Sequence, residues 1–111
     1  MKRVRIVATL ALGAGLTTAG FAQESAVEQH GKEVFEQWCQ PCHGDGPGKP
    51  GTAALQALYK GQKPALLEQR TDLVPALTKT FVRTGVSVMP FFRKTEISDA
   101  DLDALAAYLA P

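Results

Sequence analysis

The chain has 111 residues, 45% of them hydrophobic, and its 12 Lys and Arg nearly balance 11 Asp and Glu for a formal net charge of +1. That length supports one small domain. Two cysteines are too few for a disulfide framework, and basic residues without a matching fold or aromatic platform exclude a nucleic-acid reader.

The amino terminus reads as a secretory signal peptide. Lys2, Arg3 and Arg5 precede an apolar run from Ile6 to Leu16, and Gly20-Phe21-Ala22 offers a small-x-small cleavage site. The run of 11 residues falls short of the roughly 20 that cross a bilayer as a helix, so no permanent membrane anchor is expected. Residues 1–22 are therefore expected to leave, and residues 23–111 to form the mature domain in the periplasm. Those 89 residues hold 9 basic and 11 acidic side chains, and their own apolar core would be marginal.

From Ala26 to Gln37, Val27, Gly31, Val34, Phe35 and Trp38 recur at helical spacing, opposite Glu28, Lys32, Glu33 and Glu36. This predicted helix feeds directly into Cys39-Gln40-Pro41-Cys42-His43. C-x-x-C-H is the spacing at which two thiols capture a haem and the next side chain ligates its iron. Each of Cys39 and Cys42 can form a thioether to one vinyl group, the two thiols lying about one helical turn apart. His43 then supplies a neutral imidazole nitrogen as the proximal iron ligand. A thioredoxin-like disulfide would need a strand upstream, where a helix is predicted. A zinc site would want two further ligands and finds only His30. Haem c also suits an exported chain, since both cysteines are consumed and none remains for a structural disulfide.

Gly44 to Gly51 holds four glycines and two prolines in eight positions and is predicted as neither helix nor strand. A carbonyl of Pro47 or Pro50 is the expected acceptor for the His43 Nδ1 proton. Thr52 to Asp72 carries no decisive pattern. A helix is predicted from Pro75 to Thr84, with proline in its first turn, Val74, Leu77, Phe81 and Val82 on one side, and Gly85 as its stop.

That helix delivers the chain to Met89, 46 residues after His43 and the one methionine left once Met1 departs. Pro90 restricts Met89 to an extended conformation. Methionines usually fill cores; beside a haem motif, Met89 is instead the expected distal iron ligand. His30 is the rival, but it lies on the helix entering Cys39, where a solvated or capping role is expected. The last helix is announced by Ile97-Ser98-Asp99-Ala100-Asp101-Leu102. Ser98 caps it, Asp101 stands in for the capping-box glutamate, and Ile97 can staple to Leu102. Its inner face is Leu102, Leu105, Tyr108 and Leu109.

Gly31, Phe35, Cys39, Cys42, His43, Met89 with Pro90, and the pair Leu105 and Tyr108 together resemble the class I monohaem cytochrome c pattern over residues 26–110. The resemblance implies an all-α domain wrapped around one covalent haem c, with first and last helices crossing near-perpendicularly where Gly31 allows close approach beneath Tyr108 or Leu105. Within that class, Val82-Arg83-Thr84-Gly85 followed by Met89-Pro90-Phe91-Phe92 is similar to the cytochrome subunits of flavin-containing dehydrogenases that oxidise 4-alkylphenols. Thr52 to Asp72 departs from that narrower likeness.

With His43 and Met89 both bound, iron keeps no open position, so the expected role is one-electron transfer rather than catalysis. The expected donor is a flavin or other periplasmic dehydrogenase, and the acceptor another cytochrome, a copper protein or an oxidase. An unbound Met89 would instead leave a haem enzyme or a gas or peroxide sensor, but a peroxide-cleaving site needs a distal acid-base group and no histidine follows His43. Residues 49–94 hold eight basic side chains against Glu68 and Asp72. If they rim the haem crevice, they form a positive collar that steers an acidic partner. An exposed Phe91-Phe92 pair would suggest a lasting interface.

Overall fold

The structure, a computed structural model, describes residues 19–111, with side chains from residue 26. The signal-peptide reading falls largely outside the described residues; Gly20, Phe21 and Ala22 belong to the backbone of the first helix. Five α-helices and one 3₁₀ turn make up the described chain, with no strand among the described residues. None of its helices is long and apolar enough to cross a membrane.

Helix α1, Ala19–Trp38, extends the expected helix toward the amino terminus, and α5, Asp99–Leu109, closes the chain. These two make the core. Of the ten apolar residues buried among the described residues, eight lie on α1, on α5 or at the staple position: Val34, Phe35, Ile97, Leu102, Ala104, Leu105, Ala106 and Leu109. The contact is close because Gly31 carries no side chain. A Cβ there would fall on the Ala104 carbonyl oxygen and 2.6 Å from Tyr108 Cβ, so the neighbours are Ala104 and Tyr108 rather than Leu105. One turn on, the Phe35 and Tyr108 rings meet at 5.9 Å with a 51° tilt. Val27, expected on this inner face, is 38% exposed and borders an open concavity with Ala100, Asp103 and Ala104 of α5.

The start of α5 is fixed as the capping signature predicts. Asp101 N donates to Ser98 Oγ at 3.1 Å and Ser98 N donates to Asp101 Oδ2 at 3.3 Å. Ile97, fully buried, sits in the same cluster as Leu102. His30 is exposed, as expected, and its Nε2 lies 2.7 Å from Asp101 Oδ1, tying α1 to the capping box of α5.

Between these helices lie three shorter ones. Helix α2, Gln40–His43, is a single turn, and α3 runs Pro50–Tyr59. Pro50 and Gly51 therefore open a helix, contrary to the irregular stretch expected through Gly51, because proline is favoured in a helix's first turn. The segment without a pattern resolves into most of α3 and a 3₁₀ turn, Leu67–Gln69. Helix α4, Pro75–Thr84, has the predicted bounds, with Gly85 as C-cap at φ +68°. Its Val82 is buried, whereas Val74, expected to face inward, is 55% exposed at the N-cap.

Candidate functional site

Trp38 is the last residue of α1, and Cys39 bends the chain into α2 without breaking the hydrogen-bond ladder. Cys39 N donates to Phe35 O at 2.9 Å, and Cys42 N and His43 N both donate to Cys39 O, at 3.1 and 2.8 Å. The C-x-x-C-H segment is thus one helical turn with both sulfurs free. Cys39 is half-buried against the α1/α5 core and Cys42 is exposed. Burial, with the neighbouring Cys42 adding to it, pushes the Cys39 thiol pKa up to about 12. Burial lowers that of His43, which favours the neutral ring.

The chain after His43 closes against it. Thr52 Oγ1, buried, donates to Gly44 O at 2.9 Å and draws the start of α3 back onto α2. This brings Gly51 onto the imidazole: a Cβ there would lie 2.7 Å from His43 Cε1 and 2.9 Å from Nδ1. The expected hydrogen bond to a Pro47 or Pro50 carbonyl is not made. His43 Nδ1 is buried and has no partner, so backbone packing holds the ring. Gly51 and Thr52 were not singled out by the sequence, since neither belongs to the C-x-x-C-H spacing.

The second half of the site is the turn that follows α4. Val86 N donates to Met89 O at 3.1 Å and Met89 N to Val86 O at 2.9 Å, a narrow bridge with Ser87 at φ +55°. Gly85 permits it, since a Cβ there would meet Met89 O at 2.7 Å. Phe92 N donates to Val82 O at 2.8 Å, and Arg83 spans the return, donating from Nη1 to Phe92 O at 3.1 Å and from Nη2 to Asp99 Oδ1 at 2.9 Å. Met89 is half-buried against the same core cluster that Cys39 borders. Phe92 is half-buried, its ring edge-on to Trp38 at 6.0 Å, while Phe91 is 60% exposed. The aromatic pair therefore divides, one ring inward and one outward.

The positive charge expected for a collar is partly offset within the chain. Six of its eight basic residues are paired with this chain's own carboxylates: Lys63 and Arg70 with Asp72, Lys79 with Asp103, Arg83 and Lys94 with Asp99, and Arg93 with Glu96. Lys49 donates to Gln40 O. Four of these pairs reach Glu96, Asp99 and Asp103, just beyond the counted segment, and offset part of its local excess. The tightest cluster is Arg70, which also donates to Tyr59 Oη at 2.7 Å while holding both Asp72 oxygens.

These residues fit a large apolar group with an imidazole ligand. Helices α2 and α3 bury no apolar side chain at all, and Leu58 of α3 is 69% exposed, so this side of the domain lacks a core of its own. Two free thiols one turn apart and a histidine held by packing complete a donor set suited to haem.

Residues 26–109 match the family described as "Cytochrome C oxidase, cbb3-type, subunit III". No curated protein and no solved structure matches the chain. The chain belongs to this family of monohaem class I cytochrome c domains: its fold is all-α, its cofactor is one covalently bound haem c with iron, and its role is electron transfer.

Proposed function

We propose that this c-type cytochrome carries single electrons in the periplasm through a haem tethered by Cys39 and Cys42 and ligated by His43 and Met89. The observation that carries the reading is the pairing of two preformed half-sites on one core. The helical turn holding Cys39, Cys42 and His43 borders the α1/α5 cluster, and the bridged turn presenting Met89 borders it too. Bound there, haem c supplies a one-electron ferrous/ferric couple. The thiols fix its position, and His43 offers a neutral nitrogen from a ring that Gly51 keeps from turning. Met89 would supply a thioether as the second ligand, which would favour the reduced state and leave no site for substrate. Trp38 and Phe92 exclude water from this side, which acts in the same direction.

Export precedes attachment: residues 1–22 direct the chain out of the cytosol, and the mature protein begins near Gln23. The donor is a periplasmic dehydrogenase, with a flavin enzyme of the alkylphenol-oxidising kind as one form that the Met89-Pro90-Phe91-Phe92 string supports. The acceptor is a respiratory redox protein; the family's name belongs to an oxidase subunit, in keeping with an oxidase at that end.

Visible and near-infrared spectra of the purified protein, with and without carbon monoxide, test the reading. A c-type spectrum with a methionine-to-ferric-iron charge-transfer band and no carbon monoxide binding is expected. Haem present without the band, and ready carbon monoxide binding, would give an open iron and return the protein to peroxide or gas chemistry.

A further inference from the structure

The turn that presents Met89 is gathered at its neck by one side chain. The chain leaves α4 at Thr84 and returns at Phe92, where the backbone bonds across from Phe92 N to Val82 O at 2.8 Å. Arg83 adds to that bond twice. Its Nη1 donates to Phe92 O at 3.1 Å and its Nη2 to Asp99 Oδ1 at 2.9 Å, so one guanidinium joins the departing chain, the returning chain and the first turn of α5. Lys94, just past the neck, takes the other Asp99 oxygen at 2.7 Å. The two cations are not equal. Lys94 and Asp99 are 72% and 62% exposed, and exposed pairs contribute little. The Arg83 side chain is only 23% exposed, and its planar fork meets two acceptors in fixed directions, which a single ammonium cannot copy. Inside the turn, two backbone hydrogen bonds already bridge Val86 and Met89. The neck is therefore the place where the turn can swing.

We infer that Arg83 is a positioning residue for the iron's second ligand: its two-pronged hold on Phe92 and Asp99 keeps Met89 in place and so keeps that coordination position closed to outside molecules. The inference rests on the reading of Met89 as ligand. A thioether favours ferrous iron, so in the ferric state Met89 is held least by its own bond and most by the chain. A turn already fixed at its neck loses little freedom when the thioether binds, whereas a swinging one loses more and yields to a competing donor. Arg83 exchanges neither electron nor proton in this role.

Titration of the ferric protein with imidazole, followed by loss of the methionine-to-iron charge-transfer band, tests the assignment. Arg83→Gln should raise the affinity for imidazole roughly tenfold, the scale of one lost hydrogen bond to a charged group. Arg83→Lys keeps the charge and the bulk but not the fork, so its affinity should fall between those of the parent and Arg83→Gln. It also carries the test if the glutamine variant does not assemble. Lys79→Gln removes another tie between α4 and α5, to Asp103, without touching the turn, and should leave the affinity within about twofold of the parent. Parent-like affinity in Arg83→Gln would overturn the assignment. So would an equal rise in Lys79→Gln, which would make Met89 depend on the docking of α4 at large, and full retention in Arg83→Lys would reduce the two-pronged hold to a charge. A parent protein without the charge-transfer band would instead remove the ligation itself, a failure visible before any variant is made.

Discussion

The α1/α5 crossing and the half of the domain around α2, α3 and the Met89 turn are built on opposite principles. The crossing satisfies itself: Gly31 admits Ala104, Phe35 meets Tyr108, Ser98 and Asp101 cap each other, and His30 ties Asp101 to α1. The other half is not completed by its own side chains. It holds a buried imidazole nitrogen without a partner, helices that bury no apolar side chain, and a leucine and a phenylalanine more than half exposed. One region supplies a scaffold that its own side chains complete; the other is shaped for a group the chain does not encode. The domain is thus stable in proportion to how well the second region is occupied.

Removing the cofactor should give the largest effect. Protein produced without haem attachment, as in Cys39→Ser/Cys42→Ser, is expected to lose its cooperative thermal transition, since a domain of this size with half a core is marginal. Amide exchange would sharpen the contrast, leaving residual protection in α1 and α5 and none in α3 or the Met89 turn. A cooperative melt with protected α3 amides would show that the second region is self-sufficient after all. Next in size is Met89→His, which leaves the crossing untouched and should lower the reduction potential by on the order of 0.1 V or more, within the roughly 0.8 V that axial ligands span. An unchanged potential by spectroelectrochemical titration would remove Met89 from the iron.

Gly31→Leu acts on the other side of the comparison. Its Cβ alone would fall on the Ala104 carbonyl, and backbone cannot yield as a flexible side chain can. Overpacking of this kind costs about 1–3 kcal/mol. Holo-protein yield and melting temperature should both fall, yet the spectrum of whatever protein folds should stay that of the parent. A normal melt would mean that the helices can separate without loss.

How much of this was legible in the sequence follows the same division. The crossing could be read because its causes are local or periodic: Ser98 to Asp101 is a three-residue rule, Pro75 and Gly85 bound α4, and Gly31 lies in register with Val34 and Phe35. C-x-x-C-H was legible as chemistry for the same reason, its spacing being one helical turn. Gly51 against His43 was not, since only the hydrogen bond from Thr52 to Gly44, eight residues apart, folds that loop back. The charge of the positive collar was overcounted because counting along the chain ignores α5, whose Asp99 and Asp103 arrive from outside the counted segment. Helix α3 was hidden by Pro50 and Gly51 at its start, which mark a break unless proline falls at a first turn.

Acid should loosen the crossing and its ties to α4. The carboxyls of Asp99, Asp101 and Glu96 are held below their usual range, Asp99 by Lys94 and Arg83, Asp101 by Ser98 and His30, and Glu96 by Arg93. Asp72 is depressed further still by Arg70 and Lys63. A folded-state pKa below the unfolded value contributes stability that is complete above about pH 4 and is lost as pH falls through the folded value. Melting temperature should therefore hold from neutral pH to about 5 and then decline. A decline that begins well above pH 5 would take these carboxyls out of the account.

Ser98→Ala should have the smallest effect and separates the two regions most cleanly. The substitution removes the acceptor for Asp101 N and costs about 1 kcal/mol, the usual loss for an N-cap hydroxyl. Asp101 keeps His30 as a partner, so α5 frays at its first turn without leaving α1. Arg83 reaches Asp99 within that same turn and also holds Phe92 O, which gives a mechanical route from the cap to the Met89 turn. If the regions are independent, the melting temperature drops by a few degrees while the charge-transfer band and potential stay put. A shift in the band would mean that Arg83 transmits the state of the α5 cap to the methionine, and the scaffold would then tune the ligand as well as carry it.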